Sequence, residues 1–157
     1  MRKQIIHPAN QEVSPDLQSW LNLAQLAQVE ITSEEAAHPV EAAFATTGTT
    51  GWRAGQPGEQ IIRLVFDVPQ DIRQITLLFR EQEQERTQEL LLRWLPAGSQ
   101  AYQEVVRQQY NFSPPHTTEE AEDYVVDLRQ AKALELKIIP DISGRNAYAS
   151  LAALRLG

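Results

Sequence analysis

The chain has 157 residues, of which 42% are hydrophobic and 22% are charged, a balance typical of one globular domain with a sizeable core. It contains no cysteine, which excludes disulfides, thiolate metal sites and cysteine nucleophiles. The formal net charge of −7 argues against nucleic-acid binding, because proteins that bind phosphate backbones present a positive surface.

The first segment of the chain predicts an extension rather than a leader or a membrane anchor. It lacks the apolar stretch of a signal peptide, and the longest apolar runs elsewhere contain Arg and are too short to cross a bilayer. We therefore expect a cytoplasmic protein without membrane contact. In "SPDLQSWLNLAQLAQ", Ser14 suits an N-cap, Pro15 suits the first helical position, and Leu17, Trp20 and Leu21 share a face. This pattern predicts an amphipathic helix from Ser14 to Gln28, within an N-terminal unit that covers residues 1–26.

From residue 29 onwards the pattern changes to short runs that are typical of strands. Apolar and polar residues alternate in "IRQITLLFR" and in "ALELKIIPDI", and breaks rich in Pro, Gly, Asp and Ser occur at "DVPQD", "LPAGS", "NFSPPH" and "PDISGR". We interpret "EQEQERTQE" as a polar hairpin between two strands. About eight short strands without intervening helices indicate an all-β sandwich over residues 27–157.

The order of these segments resembles one superfamily of sandwich domains. The segments are "VEITSEE", "HPVEAAF", "TTGTTGW", "GEQIIRLVFDVPQDIRQITLLF", "GSQAYQEVV", "EDYVVDL", "ALELKIIPD" and "ASLAALRL". Together they resemble the discoidin or coagulation factor C-type (galactose-binding-like) superfamily, which includes the family 32 carbohydrate-binding modules. The resemblance implies a jelly-roll β-sandwich in which "DVPQDI" is the turn between paired strands.

The resemblance also raises the question of calcium in the loop that precedes Trp52. Many members of the superfamily carry Asp residues there, whereas this chain reads "FATTGTTGW", with Ala45 and Thr47 at the expected acidic positions. Because hard cations favour several oxygen ligands with carboxylates among them, we expect no calcium in the Thr46–Thr50 loop, and no other cofactor. The alternative role of this loop is a Thr/Gly turn that leads into a strand.

Loops of the sandwich supply residues that suit a sugar ligand. Aromatic rings pack on the apolar faces of sugars, and planar polar side chains donate directed hydrogen bonds. The candidates are Trp52, Arg53, Asn111, Phe112, His116, Arg145, Asn146 and Tyr148. The structural alternatives are that Trp52 and Phe112 pack in the core, and that Arg145 and Asn146 belong to a polar turn.

Other functions have less support in the sequence. The motifs H-E-x-x-H and G-x-S-x-G are absent, and so is a phosphate-binding P-loop, so we expect no enzyme activity. "RQQYNF" interleaves Arg with aromatic residues, but the negative net charge outweighs this signal for nucleic acid. We therefore predict a non-catalytic module that binds carbohydrate or another polyol. The alternative is a protein-interaction module that uses the same loops or the N-terminal helix.

Overall fold

Antiparallel β-strands make up most of the computed structural model, which describes residues 20–45 and 50–157. In chain order, the elements are α1 (Leu23–Leu26), β1 (Ala27–Ile31), α2 (Glu41–Phe44), β2 (Trp52–Arg53), β3 (Gln60–Arg80), β4 (Arg86–Pro96), β5 (Gln103–Phe112), β6 (Glu119–Ile139), β7 (Ser150–Leu151) and β8 (Ala153–Leu156). Both helices within the described ranges are single turns of 4 residues. The predicted all-β class is therefore confirmed.

Most of these strands belong to one hydrogen-bonded sheet. Its order is β1-β3-β6-β4-β5, and β8 pairs with β3 outside this path. Strands β2 and β7 form a separate two-stranded ribbon. Each of these pairs is antiparallel.

The two longest strands, β3 and β6, have 21 residues each and bend near their middles. Residues 60–65 of β3 pair with 133–138 of β6, and after a register shift residues 70–80 pair with 119–131. Strands β1 and β4 extend the first half, whereas β8 extends the second half. At the bend, the Gln130 amide donates to Asp71 Oδ1 at 2.8 Å, and Gln130 has a φ of 52°. The sheet thus folds over on itself and forms a sandwich.

The core lies between the two halves and follows from the alternation of side chains along the strands. In the second half of β3, Ile75, Leu77 and Phe79 are all fully buried, as a strand with one face in the core requires. Across the core, the Phe79 ring lies 5.6 Å from the Tyr110 ring on β5. The alternation predicted in the sequence therefore identifies the buried face correctly.

Two predicted turns are wrong in their connectivity. "DVPQD" lies inside β3 rather than between two paired strands, and residues 66–69 fall in the register shift. Pro69 is tolerated there because residues 67–69 have no paired residue on a neighbouring strand, so no ladder hydrogen bond requires a backbone N–H at position 69. "EQEQERTQE" does connect β3 to β4, but it is not a hairpin, since β6 lies between these strands. Local sequence marks a break in a strand without specifying its pairing partner.

The N-terminal helix is only partly covered by the described residues. Residues 1–19 of the predicted segment lie outside them, and helix α1 ends at Leu26, so the prediction that the helix continues to Gln28 is wrong. Ala27 and Gln28 instead start β1, opposite Phe66 and Val65 of β3. The division of the chain at residues 26 and 27 stays a prediction. In the part of the chain that the structure describes, no helix is long and apolar enough to cross a membrane.

Several loops meet at one end of the sandwich, which we call the loop end. Residues 54–59, 81–85, 113–118 and 140–149 emerge there, because the strands that they connect are in register at this end. Backbone hydrogen bonds tie the loops together: the Gly58 amide donates to Ala147 O at 3.0 Å, and the Ile142 amide to Thr87 O at 2.8 Å. Most of the predicted ligand-binding residues lie at this end.

Candidate functional site

Two depressions open at the loop end. The larger cleft has a volume of about 390 Å³ and is lined by His38, Thr50, Trp52, Arg53 and the segments 80–83 and 150–152. The smaller pocket has a volume of about 100 Å³ and is lined by residues 85–87, 111–113, Asp141, Ser143 and Arg145. The turn 81–85 contributes residues to both depressions.

The β2–β7 ribbon forms one wall of the larger cleft. Trp52 pairs with Leu151, and Arg53 pairs with Ser150. Gly51 precedes the ribbon with a φ of 62°, and a Cβ atom there would lie 2.6 Å from Leu151 O. The chain therefore needs glycine at the last position of the Thr/Gly loop, both for its left-handed conformation and for the close approach of the two backbones.

Trp52 lines the cleft but is a core residue. Its exposed fraction is 1%, and its Nε1 donates to Ser33 O at 3.0 Å. The faces of its ring are packed against the core and are not available for stacking. Trp52 therefore holds the base of the cleft, which is the structural alternative left open by the sequence.

The rim of the cleft is built around Arg53. Its Nε lies 3.0 Å from Glu35 Oε1, and its guanidinium carbon lies 5.1 Å from the centre of the Tyr148 ring. The Arg53 amide donates to His38 O at 3.2 Å, and His38 Nδ1 lies 3.3 Å from Thr50 O. Arg53 and Tyr148, both predicted from the sequence, are thus in contact.

The opposite wall comes from the end of β3 and the turn that follows. Arg80 Nε donates to Glu119 Oε1 at 3.3 Å. Glu81 Oε2 accepts from the Glu83 amide at 3.0 Å, and Glu81 Oε1 accepts from Arg86 Nε at 2.6 Å. Burial opposes ionisation of Glu81, but the hydrogen bonds from Arg86 and the turn outweigh it and hold the pKa of this carboxyl below its ordinary value. Glu81 is therefore an ionised acceptor.

The smaller pocket brings together three other predicted residues, namely Asn111, Phe112 and Arg145. Asn111 Oδ1 accepts from Thr87 Oγ1 at 2.7 Å, and Arg145 Nη1 donates to Glu85 O at 2.9 Å. Phe112 is 1% exposed, like Trp52, and cannot present an open ring face. The predicted residues are thus divided between two depressions rather than gathered in one.

His116 and Asn146 lie at the loop end but line neither depression. Both side chains are exposed. The His116 amide donates to Ser113 O at 2.8 Å, which closes the turn after β5. Asn146 contributes its carbonyl, which accepts from Gln84 Nε2 at 3.5 Å. The ligand role of these residues stays a prediction.

Sequence reasoning missed several residues of the two depressions. They are His38, Arg80, Glu81, Arg86 and Asp141. For one of them the sequence carries a usable signal: Arg86 and Gln88 occupy the same face of β4 as Leu90 and Leu92, and that face is buried. A charged residue on the buried face of an alternating strand indicates a paired or functional side chain.

The expectation of no calcium stays a prediction, because residues 46–49 of the loop lie outside the described residues. Beside that stretch, Arg155 Nη2 donates to Ala45 O at 3.1 Å, so a cationic side chain already contacts the backbone of the loop. Within residues 20–45 and 50–157, no cluster of three or more His, Asp or Glu side chains could hold a metal ion.

No family model matches the sequence, and no curated protein matches it significantly. Solved structures do share its architecture. The family 32 carbohydrate-binding module of C. perfringens NanJ in complex with galactose has a TM-score of 0.65 at 14% identity, over 87% of this chain and 96% of that one. The module CpGH89CBM32-5 from Clostridium perfringens, in complex with GalNAc-β-1,3-galactose, has a TM-score of 0.64 at 17% identity, over 88% and 99%. An F5/8 type C domain from Bacteroides fragilis has a TM-score of 0.62 at 13% identity, over 88% and 94%.

The chain therefore has the galactose-binding-like sandwich fold. In particular, its fold is that of family 32 carbohydrate-binding modules and F5/8 type C domains. The resemblance predicted from the order of the sequence segments is confirmed as a likeness of fold. Function has to be argued from the site, because one architecture hosts many binding tasks.

Proposed function

We propose that this protein is a non-catalytic carbohydrate-binding module whose larger cleft holds an uncharged, hydroxyl-rich ligand. The observation that carries the proposal is the convergence of Arg53, backed by Tyr148 and Glu35, with Arg80 and Glu81 around one cleft. Similar folds in complex with galactose and with GalNAc-β-1,3-galactose support the choice of ligand class.

The chemistry of the cleft suits sugar hydroxyls. Guanidinium groups donate in fixed planar directions, and the ionised Glu81 carboxylate accepts, so hydroxyls that both donate and accept find partners of both kinds. Gln82 and Ser150 add further polar groups to the lining. The volume of about 390 Å³ lies within the usual range of roughly 300–1,000 Å³ for small-molecule sites.

The balance of charge favours an uncharged sugar over an ionic one. Three charged side chains of the lining lie beside partners of opposite sign, in the pairs Arg53–Glu35, Arg80–Glu119 and Glu81–Arg86. An ionic ligand would compete with these pairs, whereas a neutral hydroxyl adds hydrogen bonds to groups that stay paired. Glu83 places one more carboxylate on the lining and disfavours acidic sugars.

The same ion pairs support binding without catalysis. Hydrolysis by paired carboxylates needs one protonated acid next to one base. Glu81 has its pKa held below the ordinary value by Arg86 and the turn amides, despite the opposing effect of burial, so it does not serve as a general acid near neutral pH. The cytoplasmic location stays a prediction, and under it the ligand is a soluble saccharide rather than an extracellular polysaccharide.

The test is a glycan array that contains both soluble saccharides and polysaccharides, probed with the full chain and two variants. We expect saturable binding to a neutral glycan that is lost in Arg53→Ala and retained in Arg129→Ala. Arg129 is a matched control, because it also pairs with a neighbouring carboxylate, Asp127, but lies near the bend of β6. A folded wild-type protein that binds no glycan, or binding that is equal in both variants, would overturn the proposal.

A protein partner is the second candidate, and one observation favours it. An apolar groove of about 860 Å³ lies beside α1 and α2, lined in part by Trp20, Val29, Ile31 and Phe44. Contiguous apolar surface of this kind is typical of protein-interaction sites.

The groove and the cleft can be separated as sites for the glycan by one variant in each. Glycan binding that survives Phe44→Asp but not Arg53→Ala would assign the sugar to the cleft. Loss of glycan binding in folded Phe44→Asp would instead assign it to the groove.

A further inference from the structure

The smaller pocket at the loop end contains two buried polar atoms without hydrogen-bond partners. They are Arg86 Nη2 and Asp141 Oδ2. Arg86 is 2% exposed and Asp141 is 5% exposed, and both residues line the pocket. Buried polar atoms in native proteins are nearly always paired, so two unpartnered atoms in one pocket point to a site for a polar ligand.

Every other polar atom of the Arg86 guanidinium is accounted for. Nε donates to Glu81 Oε1 at 2.6 Å, and Nη1 donates to Gln88 Oε1 at 3.0 Å and to Pro140 O at 2.9 Å. The Phe112 ring lies 4.9 Å from the guanidinium carbon. The guanidinium is therefore fixed in place, with one donor nitrogen left to bind something else.

Asp141 supplies the complementary acceptor. Its Oδ1 accepts from the Ser143 amide at 3.0 Å and from Ser143 Oγ at 2.7 Å. Its Oδ2 faces Arg145 Nε at 3.5 Å, which is an ion pair too long for a hydrogen bond. Burial opposes ionisation, but the hydrogen bonds from Ser143 and from the Thr87 backbone, together with the charge of Arg145, outweigh it and keep the pKa of Asp141 below its ordinary value. Asp141 is thus an ionised acceptor whose Oδ2 lacks a hydrogen-bond partner.

A ligand of the smaller pocket has to accept a hydrogen bond from Arg86 Nη2 and donate one to Asp141 Oδ2. Arg86 is paired with Glu81 and Arg145 with Asp141, so both cations already have a carboxylate partner and an anion is disfavoured. With a volume of about 100 Å³, against about 390 Å³ for the larger cleft, the pocket suits a small polar group. Hydroxyl groups donate and accept, and they fit both orphaned atoms.

We propose that this pocket binds the hydroxyl groups of an uncharged sugar or polyol, one donating to Asp141 Oδ2 and one accepting from Arg86 Nη2. The inference deepens the proposed function and rests on it for the ligand class. Arg145 controls entry, because its half-exposed guanidinium bridges Glu85 O and Asp141 Oδ2. The ligand displaces this long ion pair from Asp141 Oδ2.

Small probes test the pocket without any saccharide. The full ¹⁵N-labelled chain is titrated with ethylene glycol, with acetonitrile of similar size that only accepts hydrogen bonds, and with sodium formate. We expect ethylene glycol alone to give saturable NMR shifts at the Asn111 side-chain amide and at the backbone amides of Thr87 and Ser143, all in the pocket lining. A saturable shift with acetonitrile or formate instead, or with none of the three probes, would overturn the proposal.

Two variants test the assigned roles. Asp141→Asn keeps the Oδ1 acceptor but turns Oδ2 into a donor, so we expect at least about a tenfold weaker affinity for ethylene glycol. Asp127→Asn, an exposed carboxylate on β6, is the matched control and should leave the affinity unchanged. Unchanged affinity in folded Asp141→Asn would contradict the inference.

Should Asp141→Asn fail to fold, Arg145→Ala carries the test. It removes the ion pair that the ligand has to displace, and we expect tighter binding of ethylene glycol. Weaker binding in Arg145→Ala would contradict the inference. The glycan array reports on the larger cleft through Arg53, whereas the probe titration reports on the pocket, so failure of one proposal is distinguishable from failure of the other.

Discussion

The Arg53 guanidinium carbon lies 5.1 Å from the centre of the Tyr148 ring, and Glu35 holds the same guanidinium through its Nε at 3.0 Å. Arg53 comes from strand β2, and Tyr148 comes from the loop before β7. Their contact fixes the direction of a flexible cation at the rim of the larger cleft. Under the proposed function, a ligand hydroxyl would meet a donor whose geometry is already set, which would lower the entropy lost on binding.

This contact predicts measurable coupling between the two side chains. In a double-mutant cycle with Arg53→Ala and Tyr148→Ala, we expect an interaction free energy of about 0.5–1 kcal/mol, the range for a cation over an aromatic ring at an exposed site. Urea denaturation of the four proteins gives the value. The variant Tyr148→Phe keeps a ring and should retain most of the coupling. A coupling within error of zero would show that the contact does not persist in solution.

Substitution of Gly51 should destabilise the fold more than substitution of other left-handed glycines. We expect Gly51→Ala to lower the free energy of unfolding by about 2–4 kcal/mol, because a Cβ atom would clash with Leu151 O in addition to the strained φ. Gly98→Ala is the matched control, since Gly98 has a φ of 80° but nothing within 4 Å of the added carbon. Equal losses of unfolding free energy in the two variants would show that the close contact between residue 51 and Leu151 O does not add to the cost of the substitution.

Glu135 makes stability depend on acid pH. It is 1% exposed and accepts from Arg63 Nη2 at 2.7 Å and from Arg93 Nε at 3.0 Å. Burial opposes its ionisation, but the two guanidinium groups outweigh it, so the folded pKa lies below the unfolded one. The stabilisation is therefore fully present above the unfolded pKa of about 4.3 and is lost as pH falls through the folded value.

Removing this carboxylate should flatten the acid limb of the stability profile. We expect Glu135→Gln to be less stable than the wild type at pH 7 and to lose less further stability between about pH 5 and 2. Chemical denaturation at a series of pH values gives both quantities. Glu104→Gln is the control, because its carboxylate is about half exposed and pairs with Arg107 at 3.5 Å. A parallel pair of curves for Glu135→Gln and wild type would refute the role of Glu135.

Trp52 should matter for stability rather than for direct ligand contact. We expect Trp52→Ala to cost about 3–5 kcal/mol, the usual range for truncating a large core aromatic residue. Trp52→Phe should cost less, since it keeps an aromatic ring and loses the hydrogen bond to Ser33 O. Thermal unfolding, monitored by circular dichroism, ranks the stabilities of the two variants and the wild type. If folded Trp52→Phe lost glycan binding with little change in stability, Trp52 would be a ligand contact.

The sequence was sufficient to predict the sandwich because the alternation of apolar and polar residues can be recognised within each single strand. The alternation of Leu134, Leu136 and Ile138 places each of them in the core, as the structure confirms. The pairing of strands was not predictable from such patterns. A polar turn after Arg80 looks the same whether the next strand pairs with β3 or, as here, crosses beyond β6.

The candidate site was less predictable than the fold because it joins distant parts of the chain. Arg86 and Pro140, which are hydrogen-bonded, are separated by 54 positions. Single-residue chemistry drew attention to Arg53 and Tyr148, which the structure places in contact. It gave no reason to place Asn111 and Arg53 in different depressions. Trp52 and Phe112 cannot present an open ring face to a ligand because both are buried. Their burial depends on the tertiary structure and could not be predicted from the residue types.

The pairing of β3 with the distant strand β8 has a consequence for how the chain folds. Residues 75–78 of β3 pair with residues 153–156, so this part of the ladder forms only after a segment of more than 70 positions has been closed. Such non-local pairing places β-sandwiches among the slow two-state folders, with times of about milliseconds to seconds. During synthesis, the edge of β3 at Ile75 to Leu78 stays uncovered until β8 leaves the ribosome. That uncovered edge is where we expect a chaperone, or a misfolded neighbour, to reach the nascent chain first.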